Sequence, residues 1–149
     1  MSRRILIVED DVFTGLGMAD ILTFAGFEII GPATRVAEAL ELGAKARPDV
    51  AIFDIRLAGS RDGIEGAELL RRTLGVPVVF VSATANQETK ARAKTVGPVA
   101  YLSKPCAPRQ LLQAVRAAVK TKSSASDVGS VHRSSSTRGR AGLGPWLDS

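Results

Sequence analysis

The stretch ILIVEDD, residues 5–11, runs four apolar side chains straight into Glu9, Asp10 and Asp11. Branched aliphatic residues with no polar alternation suit a strand covered on both faces, as in a parallel sheet. The acids close that strand. Three adjacent carboxylates repel one another, and so raise the question of what balances them.

Similar apolar runs recur at 27–33 (FEIIGPA), 49–54 (DVAIFD), 76–83 (VPVVFVSA) and 99–105 (VAYLSKP), with the opening run covering 3–9. Amphipathic helical patterns separate them at 12–25, 34–46, 64–74 and 86–96, and a fifth spans 107–120. Gly26 follows the first helix, Thr34 is placed to cap the second, and Gly75 with Pro77 and Gly97 with Pro98 punctuate the third and fourth. Five βα units in series predict an α/β fold. Its expected form is a doubly wound five-stranded parallel sheet in the flavodoxin-like order 2-1-3-4-5.

Composition bounds the rest. The chain has 149 residues, 45% hydrophobic and 23% charged, which is ordinary for one globular domain. No apolar run approaches the roughly 20 residues of a membrane span, and the start MSRRILIVEDD meets acid too early for a secretory signal. A soluble, cytoplasmic protein with no membrane association is expected. A single cysteine, Cys106, excludes an internal disulfide and a cysteine-built zinc site, and the lone His132 lies in a polar stretch. The net charge of +5 is diffuse: residues 1–120 hold 16 Lys/Arg against 13 Asp/Glu, and residues 121–149 hold 4 against 2. A nucleic-acid role is not prompted. After Lys120 the composition turns to Ser, Gly and Arg with almost no periodicity, so 1–120 is read as the domain and 121–149 as a disordered basic tail. Trp146 and Leu147 near its end would suit a small docking peptide, an inert tail being the plainer reading.

Ligands of an open α/β sheet bind outside the carboxyl ends of the strands at the topological switch point. The predicted ends carry Glu9, Asp10 and Asp11, then Asp54, Ser82, and Lys104 followed by Pro105. Carboxylates in that number suit Mg2+, which takes one or two of them together with water and phosphate oxygens. Asp54 is then a candidate nucleophile, because carboxylates form aspartyl phosphates. Phosphoryl transfer needs chiefly positioning and charge stabilisation, which a cation, Lys104 and the Ser82 hydroxyl can supply. Asp11 also suits a helix start, where acids favour the macrodipole.

In order, these residues resemble the receiver domain of two-component response regulators, over residue 3 to about 120. Glu9 and Asp10 resemble its acidic metal-binding pair, Asp54 its phosphoacceptor, Ser82-Ala83 its switch pair, Tyr101 its aromatic switch position and Lys104-Pro105 its Lys-Pro step. The resemblance implies a Mg2+ ion held by Glu9, Asp10, Asp54 and the backbone carbonyl of Arg56, and a cis Lys104–Pro105 bond. It implies a signalling module rather than an enzyme, with only limited self-catalysed phosphotransfer and dephosphorylation. The partners it implies are a histidine kinase or phosphotransfer protein and a downstream protein target that the sequence does not name. A homodimer is compatible with it. No DNA-binding domain is expected in the 29-residue tail, so a single-domain regulator acting by protein contact is anticipated.

Two features depart from the pattern. The loop DIRLAGSRDG is one residue longer than usual and lacks its proline, and Cys106 stands where a large apolar residue is frequent. They keep a second reading in play, a receiver fold used as a phosphorylation-independent scaffold. An aspartate-nucleophile phosphatase would need a second acid where Arg56 stands. A flavodoxin-type carrier would need a hydroxyl-rich loop where the acids stand, and GLGMAD from Gly15 lacks the third glycine of a dinucleotide fingerprint.

Overall fold

A computed structural model describes residues 2–57, 62–83 and 86–128, with backbone alone for 122–128. The elements follow one another as β1 (Arg4–Val8), α1 (Val12–Phe24), β2 (Glu28–Ala33), α2 (Val36–Ala46), β3 (Val50–Asp54), α3 (Gly63–Leu74), β4 (Val78–Ser82), α4 (Gln87–Thr95), β5 (Ala100–Ser103) and α5 (Pro108–Val128). The strands form one parallel sheet in the order β2-β1-β3-β4-β5. This is the α/β flavodoxin-like arrangement expected from the sequence.

Burial explains why the apolar runs lack alternation. Every residue of β3 and β4, and all of β1 beyond Arg4, is buried, because helices cover both faces of the central strands. Leu6, Val8 and Phe53 face one side with Ala39 of α2, Leu70 of α3 and Ala93 of α4. Ile5, Ile7 and Ile52 face the other with Met18 and Leu22 of α1 and Leu111, Val115 and Ala118 of α5. The edge strands β2 and β5 are only partly buried, and β2 shifts register against β1 between Leu6 and Val8. The peptide bonds Gly31–Pro32 and Lys104–Pro105 are cis, the second as expected.

The helix ends show where sequence signals act. Gly75 ends α3 in the left-handed conformation at φ +67°, as its position suggests. Thr34 does not cap α2: Arg35 occupies the N-cap without a side-chain bond, and Glu38 reaches back to accept the Thr34 N–H at 3.0 Å. α1 is not amphipathic. It buries Gly15, Met18 and Leu22, yet leaves Val12, Phe13, Leu16 and Phe24 exposed. α5 runs on to Val128, past the Lys120 at which its pattern fades. The rest of the segment expected to be disordered, 129–149, lies outside the described residues, as do 58–61 of the long loop. Among the described residues no helix is long and apolar enough to cross a membrane.

Candidate functional site

Among the described residues the buried polar side chains are Glu9, Asp54 and Ser82, and all three lie at the carboxyl ends of strands. Burying polar groups is unfavourable unless they find partners, so their convergence locates the site. Backbone hydrogen bonds build the rim that holds them. Glu9, the first residue past β1, donates its N–H to Ala33 O at the end of β2 (2.8 Å), and Lys104, just past β5, donates its N–H to Ser82 O (2.8 Å). Asp54 closes β3 opposite Val81. Pro105, having no N–H to offer, cannot extend the β5 ladder.

Glu9, Asp10 and Asp54 come together: one carboxylate oxygen from each lies within 4.8 Å of the others. Asp10 is exposed whereas Glu9 and Asp54 are buried, so the cluster opens to solvent on the Asp10 side. Lys104 bridges the buried pair, with Nζ 2.8 Å from Glu9 Oε1 and 3.2 Å from Asp54 Oδ2. Glu9 Oε1 takes no hydrogen bond of good angle, so the shorter contact is an ion pair rather than a directed bond. The other oxygens accept backbone amides, Glu9 Oε2 from Asp11 (3.2 Å) and Asp54 Oδ1 from Arg56 (3.1 Å).

The electrostatics follow from this packing. Burial, reinforced by the neighbouring Asp54 carboxyl, pushes Glu9 up to about 7 even though Lys104 opposes the shift. For Lys104, burial works against the ammonium, but Glu9 and Asp54 outweigh it and hold the group above the ordinary lysine range. One ammonium therefore faces two buried carboxylates and an exposed third. The set is short of positive charge and rich in hard oxygen donors, which fits a divalent cation of the Mg2+ kind.

Asp11 stands apart from this group. It caps α1, accepting from the Thr14 N–H at 3.3 Å and from the Thr14 hydroxyl. Those bonds hold its carboxyl below the usual range. Ser82 is buried at the end of β4, between the Asp54 and Lys104 strands. Tyr101 is turned into the core, tilted at 55° against Phe80 with ring centroids 6.4 Å apart, and Lys90 of α4 lies 5.6 Å from its ring centre. Cys106 is half-buried and its thiol is pushed up by that burial, away from the reactive range.

Two supporting features are not evident from the site residues alone. Gly63 opens α3 directly on the Asp54 backbone: a Cβ there would lie 1.9 Å from Asp54 O. Its N–H donates to Ile55 O at 2.8 Å, which returns the long loop to the end of β3. The Asp-Gly pair in the sequence was the available signal, Asp62 capping α3 through the Glu65 N–H (2.9 Å) and pairing with Arg92 of α4 (2.9 Å). The Lys90–Tyr101 contact had no sequence signal, since residues 11 apart on different elements meet only once the sheet is folded.

A doubly wound sheet with a buried acidic cluster bridged by lysine at its switch point defines a receiver-type signalling module. The profile of the response regulator receiver domain matches residues 5–116, and the chain belongs to that family. It is 35% identical over 119 residues to the transcriptional regulatory protein PdtaR of Mycobacterium tuberculosis, covering 80% of this chain but only 58% of that protein. It is 30% identical over 116 residues to the chemotaxis protein CheY of Thermotoga maritima, covering 77% of this chain and 96% of CheY. A CheY-like receiver domain protein from Methanospirillum hungatei superposes with a TM-score of 0.77 at 29% identity, covering 83% of this chain and 98% of that one.

Proposed function

We propose that Asp54 accepts a phosphoryl group from the phosphohistidine of a partner histidine kinase or phosphotransfer protein. The observation that carries this reading is the buried Glu9–Lys104–Asp54 cluster at the sheet's switch point, with Asp10 at its open side. An Asp54 carboxylate oxygen forms a bond to phosphorus as the P–N bond of the donor breaks. The imidazole departs with the electron pair and recovers a proton from solvent. Glu9, Asp10, Asp54 and the Arg56 carbonyl would hold Mg2+, which supplies positive charge to the transferring phosphoryl oxygens.

The chain's own residues do the remaining work. The Arg56 N–H orients Asp54 through Oδ1, leaving Oδ2 toward Lys104. Lys104, freed from one carboxylate contact, bonds a phosphoryl oxygen, and the Ser82 hydroxyl bonds another. Tyr101 then changes its packing against Phe80 and Lys90, shifting the surface formed by α4, β5 and α5 toward a downstream protein target. This is signalling by population shift; phosphotransfer and later hydrolysis are its limited self-catalysed steps.

The test uses acetyl phosphate as donor. With Mg2+ the intact protein should gain the mass of one phosphoryl group, with little or no gain in chelator or in Asp54→Asn. An undiminished gain in Asp54→Asn would remove Asp54 from the role.

A further inference from the structure

The large apolar residues that stand exposed among the described residues all belong to α1: Val12 (59%), Phe13 (84%), Leu16 (50%) and Phe24 (96%). Phe13, Leu16 and Phe24 fall on one side of the helix at helical spacing, with the exposed Asp20 between them. Asp10 and Asp11, also exposed, stand at its upper end, and α1 carries no Lys or Arg. The face is therefore apolar and acidic. A contiguous patch of this kind marks an interaction surface rather than ordinary scatter.

The same chain contains a segment of opposite character. Residues 129–149 carry Arg133, Arg138 and Arg140 against the single acid Asp148, and they hold Leu143, Trp146 and Leu147. The segment is also within reach. Val115 of α5 shares a core cluster with Leu22 of α1, and from Val115 the helix extends only about 20 Å to Val128. The residues from 129 to 145 can span roughly 60 Å when extended. A tethered segment meets its site at an effective concentration of roughly millimolar, so modest affinity is enough. A second copy pairing through the same face would instead set Asp20 against Asp20 with no base on either α1.

We propose that residues 138–147 fold back onto the outer face of α1, seating Leu143, Trp146 and Leu147 on Phe13, Leu16 and Phe24 with Arg138 and Arg140 toward the acids of that face. The carrying juxtaposition is an apolar, acidic helix face beside the root of an arginine- and tryptophan-bearing segment.

Trp146 is the chain's only tryptophan, so its emission reports this contact in the full-length protein. The expected result is blue-shifted emission shielded from acrylamide, weakened by added salt as screening reduces the arginine–carboxylate attraction. Phe13→Ser with Phe24→Ser should shift the emission to that of a water-exposed indole. Arg138→Ser with Arg140→Ser should move it the same way, and that pair lies outside residues 5–116 of the receiver match. Water-like emission in the wild-type protein would overturn the proposal, as would shielding that survives both pairs. Shielding that grows with protein concentration would assign the face to a second copy instead. The readout involves neither Mg2+ nor phosphate, so its failure and a failure of the proposed phosphorylation are separate results.

Discussion

At the rim of the sheet two carboxylates, Glu9 and Asp54, are buried, while on the outer face of α1 two phenylalanines, Phe13 and Phe24, stand in water. Both regions invert the usual partition of charge outside and hydrocarbon inside, and such inversions inform more than residues that obey it. They differ in how the inversion is balanced. The rim answers its own charge with Lys104, two backbone amides and an opening suited to a cation. The α1 face is balanced by nothing among the described residues, and so points to a contact made by another segment. Buried charge is resolved by elements meeting within the domain; exposed hydrocarbon is resolved beyond it.

The strongest way to break the rim is from beneath. In Gly63→Ala the new methyl would lie 1.9 Å from Asp54 O, and that neighbour is backbone, which cannot rotate aside. Overpacking of this kind is expected to cost about 3 kcal/mol in urea unfolding, with impaired phosphoryl uptake. Wild-type stability in that variant would show that α3 and Asp54 are not locked together.

A somewhat smaller effect separates the rim's own charge from its scaffold. Glu9 is pushed up to about 7 from 4.5, by burial first and Asp54 next, so its neutral form is favoured in the folded state. A raised folded-state value means its contribution is fully present below about 4.5 and is lost as pH rises through about 7. In metal-free buffer stability should therefore fall across that window, by at most about 3 kcal/mol. Mg2+ should restore it at the upper end, and Glu9→Gln should flatten the slope. A flat profile for the metal-free wild type would contradict the buried-acid account.

The smallest effect belongs to α1. Phe24→Ser should lower stability by no more than about 1 kcal/mol, because the ring is 96% exposed and supports none of the domain core, so that only the contact with the tethered segment is lost. A larger loss would mean that this face holds the fold together, and the contrast with the rim would fail.

The central strands were legible because burial on both faces leaves uninterrupted Val and Ile runs, and the rim was legible because those runs end in acids, serine and lysine. Asp11 was readable as a helix start from its position alone, and the structure makes it the α1 cap. Thr34 misled because capping depends on backbone geometry, which places Arg35 at the N-cap. The sequence of α1 suggests amphipathicity because it shows apolar residues without showing which find a neighbour; among the described residues Leu22 is buried and Phe24 is exposed. The tightness at Gly63 was hidden because it depends on how an unusually long loop returns to β3. Lys90 over Tyr101 was hidden because no local pattern links α4 to β5.

The proposed role of the buried acidic cluster, placing a phosphoryl group on Asp54, has a direct chemical test. After phosphorylation with acetyl phosphate and Mg2+, borohydride reduction converts an aspartyl phosphate to homoserine, which peptide mass spectrometry can locate in the chain. Homoserine is expected at position 54 and at no other aspartate. Homoserine at Asp10 or Asp11, or none anywhere in a protein that has gained the phosphoryl mass, would contradict it.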